Sequence, residues 1–269
     1  AITHAMANDR LSVSAQLRAE QVNNIFVWLP GAGANYRLAS WIQLRLNAQR
    51  TYRVPTLNEL YYFPGGNPIL KPEHGWTQDA GYTIQLHHHK WQIQHEGTLF
   101  NRQMKDWIMW LGGAVWTPHN IAAVHSRGTE TNTRLQYDND RYELHLTGAT
   151  SYVLATTVTS YIAQDGSIGR QIPYTPRYNM RAGAGASMGA WGVDYFHLYT
   201  GYRFTTTDES AWLEPYHTGN VMLSWTQKLR RHTMSANLQC NNIWNAHYSI
   251  AGFRPMPGIN WLAGIRVDI

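Results

Sequence analysis

Strict alternation of apolar and polar residues, returning in segment after segment, is the feature that most narrows the folds open to this chain. Leu11, Val13, Ala15, Leu17 and Ala19 alternate with Ser12, Ser14, Gln16, Arg18 and Glu20, and Ile42, Leu44, Leu46 and Ala48 alternate with Gln43, Arg45, Asn47 and Gln49. Further on, Trp76, Ala80, Tyr82, Ile84 and Leu86 oppose Thr77, Asp79, Thr83, Gln85 and His87, while Val221, Leu223, Trp225 and Leu229 oppose Met222, Ser224, Thr226 and Lys228. A period of two places one set on each side of an extended chain, so each segment is a strand with one apolar and one wet face. The segments also have the length that a tilted membrane strand requires, about 9 to 11 residues or a little more.

Strands are expected near 10–22, 38–50, 76–88, 91–103, 125–138, 141–155, 176–187, 189–203, 216–229, 232–244 and 260–269, eleven in all. Tight turns at His88-His89-Lys90, Asp138–Arg141, Met188-Gly189 and Arg230-Arg231 trade places along the chain with long irregular segments at 51–75, 104–124, 156–175, 204–215 and 245–259. Short connections on one rim and long ones on the other are the layout of an antiparallel transmembrane β-barrel. A soluble β-sandwich has no reason to sort its loops in this way.

Composition supports a lipid-facing surface. Charged residues make up 14% of the chain, against about 25% in an ordinary soluble domain. Twelve Trp, sixteen Tyr and six Phe are costly to expose to water; Trp41, Trp76, Trp91, Trp107, Trp191, Trp225, Trp244 and Trp261 fall near expected strand ends, where interfacial girdles sit. The longest apolar run, Trp107 to Trp116, is ten residues, half of the roughly 20 that a spanning helix needs. Ala1 to Leu11 show no basic region followed by an apolar core, so no signal peptide is read there. Cys240 alone provides neither an intramolecular disulfide nor a multi-thiolate metal site. The formal charge is +5, but Lys and Arg are scattered, which argues against nucleic acid as a partner.

Eleven up-and-down strands leave the first and last running the same way, and these cannot close an antiparallel ring. An open edge in lipid strands backbone groups at several kcal/mol each. The expectation is therefore that further strands precede this segment.

One block carries a family signature. Tyr52-Arg53-Val54-Pro55-Thr56-Leu57-Asn58-Glu59-Leu60-Tyr61-Tyr62, then Gly66-Asn67-Pro68-Ile69-Leu70-Lys71-Pro72-Glu73, followed by the strand at Trp76, resembles the barrel signature of TonB-dependent outer-membrane receptors. Asn120-Ile121 with Gly128-Thr129-Glu130, Asn241-Asn242-Ile243-Trp244-Asn245 with Tyr248, and Pro257–Trp261 continue the resemblance in order. It implies that residues 1–269 are the C-terminal part of such a receptor, about 11 strands of a 22-stranded, plugged barrel in the cell outer membrane. Plug and TonB box would lie outside this sequence, and Ile269 stands where such proteins usually end in an aromatic residue. The implied partners are outer-membrane lipid, a nutrient ligand, the TonB energising complex and a surface lipoprotein. The signature block looks most like cobalamin and ferric-siderophore receptors.

Read without the family, Pro55, Pro64, Pro68 and Pro72 hold the segment extended or turned, Gly65-Gly66 permit positive φ, and the whole is a rigid surface loop. Arg53 and Glu73 are expected to anchor it. Asn58, Glu59, Tyr61 and Tyr62, with Trp107 and Trp110 on the next long loop, are the expected ligand contacts, since aromatic rings offer much area at low entropic cost. Glu96, Glu130, Glu143, Arg134 and Arg45 on the polar faces read as a hydrated lumen of paired charges.

Other chemistry is weaker. His87-His88-His89 places at most two rings on one side of a strand, and on the short-turn rim. Residues 56–66 contain no His, which counts against haem. His119, His125, His197 and His217 have no spacing signature that links them to a nucleophile. No catalytic residue, metal or cofactor is expected. The reading is an active transporter for a scarce nutrient, a corrinoid or ferric siderophore; the alternatives are a plugless diffusion pore and a soluble carbohydrate-binding module.

Overall fold

The computed structural model describes residues 2–6, 10–22, 25–112, 114–161, 164–230 and 232–268. One antiparallel sheet runs through them. Its strands follow chain order as β1 (Ile2–Met6), β2 (Leu11–Val22), β3 (Ile25–Ala39), β4 (Ile42–Arg53), β5 (Glu73–His88), β6 (Trp91–Leu111), β7 (Thr117–Asp138), β8 (Tyr142–Thr159), β9 (Tyr178–Met188) and β10 (Trp191–Thr200). β13 (Tyr216–Leu229), β14 (His232–Asn241) and β17 (Asn260–Asp268) complete a sheet of thirteen. The intervening labels are two-stranded ribbons in the long loops: β11 (Arg203–Phe204) with β12 (Trp212–Leu213), and β15 (Ser249–Ala251) with β16 (Arg254–Pro255). A five-residue helix, α1 (Leu57–Tyr61), lies between β4 and β5. The sheet is a barrel wall that does not close on itself: β1 and β17 are its edges.

The alternation, the up-and-down order and the sorting of connections are as the sequence predicts. Two expectations about the strands need correction. β1 and β3 were not anticipated, so the sheet holds thirteen strands where eleven were expected: Ile2–Met6 does not alternate, nor does Phe26-Val27-Trp28-Leu29, and Pro30, Gly31 and Gly33 read as breakers. Pro30 is tolerated because it stands opposite Leu17 of β2 at the point where pairing with β4, which starts at Gly31↔Gln49, has ended. Likewise, most of 104–124 is no loop: β6 continues to Leu111 and β7 starts at Thr117, paired down to Leu111↔Thr117. The apolar run hid a long hairpin that rises past the neighbouring strands.

Register assigns every side chain to one of two faces. Leu46, Ala80, Leu99 and Tyr152 share the outer face, and Leu46 and Leu99 are 58% and 64% exposed there, an arrangement suited to hydrocarbon rather than water. Two aromatic belts bound this face. Near the short turns Trp91 meets Tyr137 at a tilt and Tyr137 stacks on Tyr142, with centroids 4.8 and 5.7 Å apart, and Trp191 pairs with Trp225 at the same level. Tyr152, Tyr178 and Tyr199 form the second belt, with Trp76 above it. Tyr142 and Tyr152 are ten residues apart on β8, which at about 3.3 Å per residue and about 40° of tilt sets the belts about 25 Å apart. That is the height of a barrel's apolar band.

The inner face is polar and cross-linked. Arg45 donates to Thr98 Oγ1 at 2.6 Å and Thr83 Oγ1 at 3.3 Å, and Asn47 Nδ2 donates to Asp79 Oδ2 at 2.8 Å. A cavity of about 480 Å³ on this face is lined by Arg45, Glu96, Glu130, Asn132, Ser151 and Arg181. The sequence led us to expect paired charges here, but Arg45 is held by hydroxyls and Glu143 accepts from Ser187 Oγ at 3.4 Å. Thr and Ser are abundant on these strands, and a hydroxyl reaches a guanidinium without the desolvation cost of a second ion.

Candidate functional site

The signature segment forms a braced loop on the long-loop rim. Its foundation is Arg53 at the end of β4, which register sets against Glu73 at the start of β5. Arg53 Nε and Nη2 donate to the two Glu73 oxygens, each at 2.7 Å, while Nη1 and Nη2 reach Glu59 at 2.9 to 3.2 Å. The guanidinium thus serves two carboxylates in a fork geometry that lysine does not offer. Glu73 Oε1 also accepts from the Ile108 amide at 2.7 Å, which ties the loop base to β6.

Glu59 also caps α1. The Thr56 amide donates to Glu59 Oε2 at 2.7 Å and the Glu59 amide donates to Thr56 Oγ1 at 3.2 Å, a reciprocal capping box. Burial alone raises the Glu59 carboxyl, but the hydrogen bonds from Arg53 and from the Thr56 backbone outweigh it and hold the group below the usual carboxylate range.

The rest of the loop leans on the β6–β7 hairpin. Asn67 Nδ2 donates to the Pro118 carbonyl at 2.9 Å, and Asn120 exchanges hydrogen bonds with the Lys71 backbone at 2.9 and 3.0 Å while donating to the Asp106 carbonyl. Gly65 lies so close to the hairpin that a Cβ there would run into the Trp116 carbonyl. Tyr161 donates to Asp106 at 2.5 Å, which raises the tyrosine hydroxyl, and the Lys71 ammonium sits 5.2 Å from the Tyr161 ring.

The sequence-predicted contacts separate by position. Asn58, Tyr61 and Tyr62 are exposed on α1 and its exit, and Tyr62 meets Trp110 edge-on at 6.0 Å and 75°. Glu59 is buried within the Arg53 cluster. Trp107 lies against Ile121, Val124, Ala155 and Ile172 in the small apolar core beneath the loops. Leu57, Phe63 and Ile69, which the sequence did not single out, join Tyr61 as exposed apolar residues of the same loop, Phe63 at 90%.

Two further braces were not legible in the sequence. Gln171 is 1% exposed and accepts from the Ala155 amide while donating to the Val153 and Thr175 carbonyls; Glu209 holds the Gln171 amide, Arg170 and Arg177. Arg203 donates to the Ser249 and Glu214 carbonyls at 2.9 and 3.0 Å and lies over the Tyr216 ring, and burial pushes its guanidinium down from the usual arginine range. These contacts link the loops after β8, β10 and β14. Among the described residues no cluster of His, Cys, Asp and Glu has the geometry of a metal centre.

Known proteins share both sequence and fold. Residues 4–243 match the family described as TonB dependent receptor-like, beta-barrel. The vitamin B12 transporter BtuB of Vibrio vulnificus (strain YJ016) is 32% identical over 82 residues, which span 29% of this chain and 13% of that protein. The copper transporter OprC superimposes over 96% of this chain and 44% of its own, with a TM-score of 0.67 and 16% identity. BauA, the ferric preacinetobactin receptor of Acinetobacter baumannii, covers 99% of this chain with a TM-score of 0.71 and 14% identity. The siderophore receptor PirA of the same organism covers 96%, with a TM-score of 0.70 and 15% identity. This chain spans 42% of BauA and 43% of PirA, less than half of each structure.

Proposed function

This chain belongs to the TonB-dependent receptor β-barrel family, a family of outer-membrane proteins, and from that premise we propose that it forms part of an active transporter. The proposed cargo is a scarce nutrient, a corrinoid or a ferric siderophore, taken up across the cell outer membrane with energy from the TonB complex. The observation that carries this reading is the loop over 54–72. Its base is fixed by Arg53, Glu59 and Glu73, and its crest presents Tyr61 and Tyr62 beside Trp110 at the mouth of a polar-lined wall. A rigid base under exposed rings suits capture of a large, partly apolar chelate, because little side-chain freedom is lost on contact. In this proposal Asn58, Tyr61, Tyr62 and Trp110 touch the ligand, Glu59 fixes the loop and Trp107 packs beneath it. Binding and gating, with no covalent chemistry, are the work proposed for these residues. BtuB is a vitamin B12 transporter, BauA a ferric preacinetobactin receptor and PirA a siderophore receptor, which supports the two cargo classes.

Deleting residues 57–66 from the full-length protein tests the proposal. Uptake of cyanocobalamin and of ferric siderophores is expected to vanish while heat-modifiable barrel assembly persists. Unchanged uptake of the true cargo would show the loop to be scaffold only. The hydrated inner face also suits a diffusion pore; conductance in planar bilayers without an energising partner would favour that reading.

A further inference from the structure

Asp106 has an unusual backbone for a residue inside a strand. Its φ is +54°, in the left-handed region, although β6 runs on past it and its neighbours Lys105 and Trp107 pair with Ala123 and Ile121 of β7. A residue with a side chain enters that region at a cost, and aspartate is among the few that do so readily. A left-handed residue within a ladder bends the ribbon and re-aims whatever lies beyond it. β8 is irregular at the same height: Ala123 pairs with Thr159 and Val124 with Thr157, so Val158 has no residue opposite. Adjacent strands thus depart from regular geometry along one line. Beyond that line lies the tip of the β6–β7 hairpin, which carries Trp107 and Trp110.

Three side chains from three parts of the chain converge on this one residue. The Tyr161 hydroxyl, from the segment after β8, donates to Asp106 Oδ1 at 2.5 Å, and His74 Nδ1 of β5 lies 3.7 Å from Oδ2. Asn120 Nδ2 of β7 donates to the Asp106 carbonyl at 2.7 Å. Asn120 also exchanges hydrogen bonds with the Lys71 backbone, so the end of the signature loop is tied to the same point, and the Lys71 ammonium returns to the Tyr161 ring. The Asp106 side chain is only 13% exposed, a degree of burial that a carboxylate tolerates when its oxygens are hydrogen-bonded.

A bend needs only the backbone, and glycine would supply it at lower cost. Aspartate adds a carboxylate that reaches beyond its own hairpin. What the bend sets is the approach of the hairpin tip to the signature loop, where Trp110 meets Tyr62 edge-on at 6.0 Å.

We propose that Asp106 is a positioning residue of the ligand-binding mouth. Its left-handed backbone turns the hairpin tip towards the signature loop, and its carboxylate, held by Tyr161 and His74, locks that angle so that Trp110 stays against Tyr62. The inference rests on the reading of this aromatic pair as a ligand contact and adds the residue that sets the pair's geometry.

Three substitutions in the full-length protein separate the backbone from the carboxylate. Asp106→Asn keeps an acceptor oxygen and tolerates positive φ; Asp106→Gly keeps the backbone and removes the lock; Asp106→Val opposes the backbone as well. The first readout needs no cargo: the yield with which a short bismaleimide joins Tyr62→Cys to Trp110→Cys in each background. Asp106→Asn is expected to cross-link as the parent does, Asp106→Gly about tenfold less, the effect of one lost hydrogen bond to a charged group, and Asp106→Val no better than Asp106→Gly. The second readout is uptake of cyanocobalamin or ferric enterobactin, whichever the wild type takes up. Asp106→Gly should raise the half-saturating concentration about tenfold with the maximal rate unchanged, and Asp106→Asn should restore it. Heat-modifiable mobility checks assembly. If Asp106→Gly does not assemble, Tyr161→Phe, which removes one hydroxyl and leaves the β6 backbone alone, carries the test with an expected fall in cross-linking of about fivefold. Full cross-linking in the Asp106→Gly or Tyr161→Phe background, or equal losses in Asp106→Asn and Asp106→Gly, would overturn the assignment. Normal uptake by Tyr62→Ala would instead refute the ligand contact, and the cross-link would still decide the role of Asp106.

Discussion

Arg53 shows how one side chain sets the order of a whole loop. It satisfies two carboxylates that are both nearly buried, Glu59 and Glu73, and the second of these holds a β6 amide. Arg53→Met leaves both acids without their cation, which for a partly exposed guanidinium costs about 1 to 3 kcal/mol. The cost is expected locally: hydrogen exchange over 54–72 should speed up while the denaturation midpoint of the barrel hardly moves. Acid acts on the same contact. The folded Glu59 carboxyl lies below its unfolded value, so its contribution is complete above the ordinary glutamate range and fades as the pH falls through the depressed value. Exchange protection of the loop should accordingly be flat near neutrality and decline only in acid, and Glu59→Gln should remove that decline. A loop that opened on raising the pH instead would contradict this assignment. The anchoring by Arg53 and Glu73 was legible because charges flank a proline-rich segment. The use of Glu59 in the same cluster was missed: Thr56-Leu57-Asn58-Glu59 has the T-x-x-E spacing of a capping box, but that spacing does not reveal that the Arg53 guanidinium reaches the same carboxylate.

At the scale of elements, the two faces of each strand make opposite demands. Leu146→Arg puts a charge midway between the belts on β8 and is expected to cost about 2 to 4 kcal/mol in lipid. Asn132→Arg, on the inner face of β7, should cost under about 1 kcal/mol; equal losses in reversible unfolding from bilayers would refute the face assignment. Strands such as β4 and β13 were readable because an apolar residue recurs at every second position. β3 was not, since its pairing with two neighbours overrides Pro30 and two glycines. The tip of the β6–β7 hairpin failed for a related reason: around Trp107 and Trp110 both faces are covered, one by the apolar core and one by the signature loop, so the alternation disappears. Apart from the Thr175 carbonyl, the braces made by Gln171 and Arg203 depend on residues 11 to 46 positions away, which no local pattern encodes.

The molecule as a whole is a wall with two edges, β1 and β17. Refolded by itself, the 269-residue chain exposes both ladders and is expected to give oligomers or aggregates rather than a heat-modifiable monomer. A monomeric species of 30.8 kDa with altered mobility would mean that the edges find each other. Along the other axis the molecule is bounded by chemistry: the aromatic rings Tyr142 and Tyr152 of β8 are ten residues apart, at the two borders of the apolar band. Such a pair of rings works as a calliper. In a bilayer thinner than that gap the wall must lean further, and in a thicker one the lipid must dimple inward, each at a fraction of a kcal/mol per Å. Lean and dimple change the width of the mouth, so lipid chain length becomes a dial on how far apart the long loops stand.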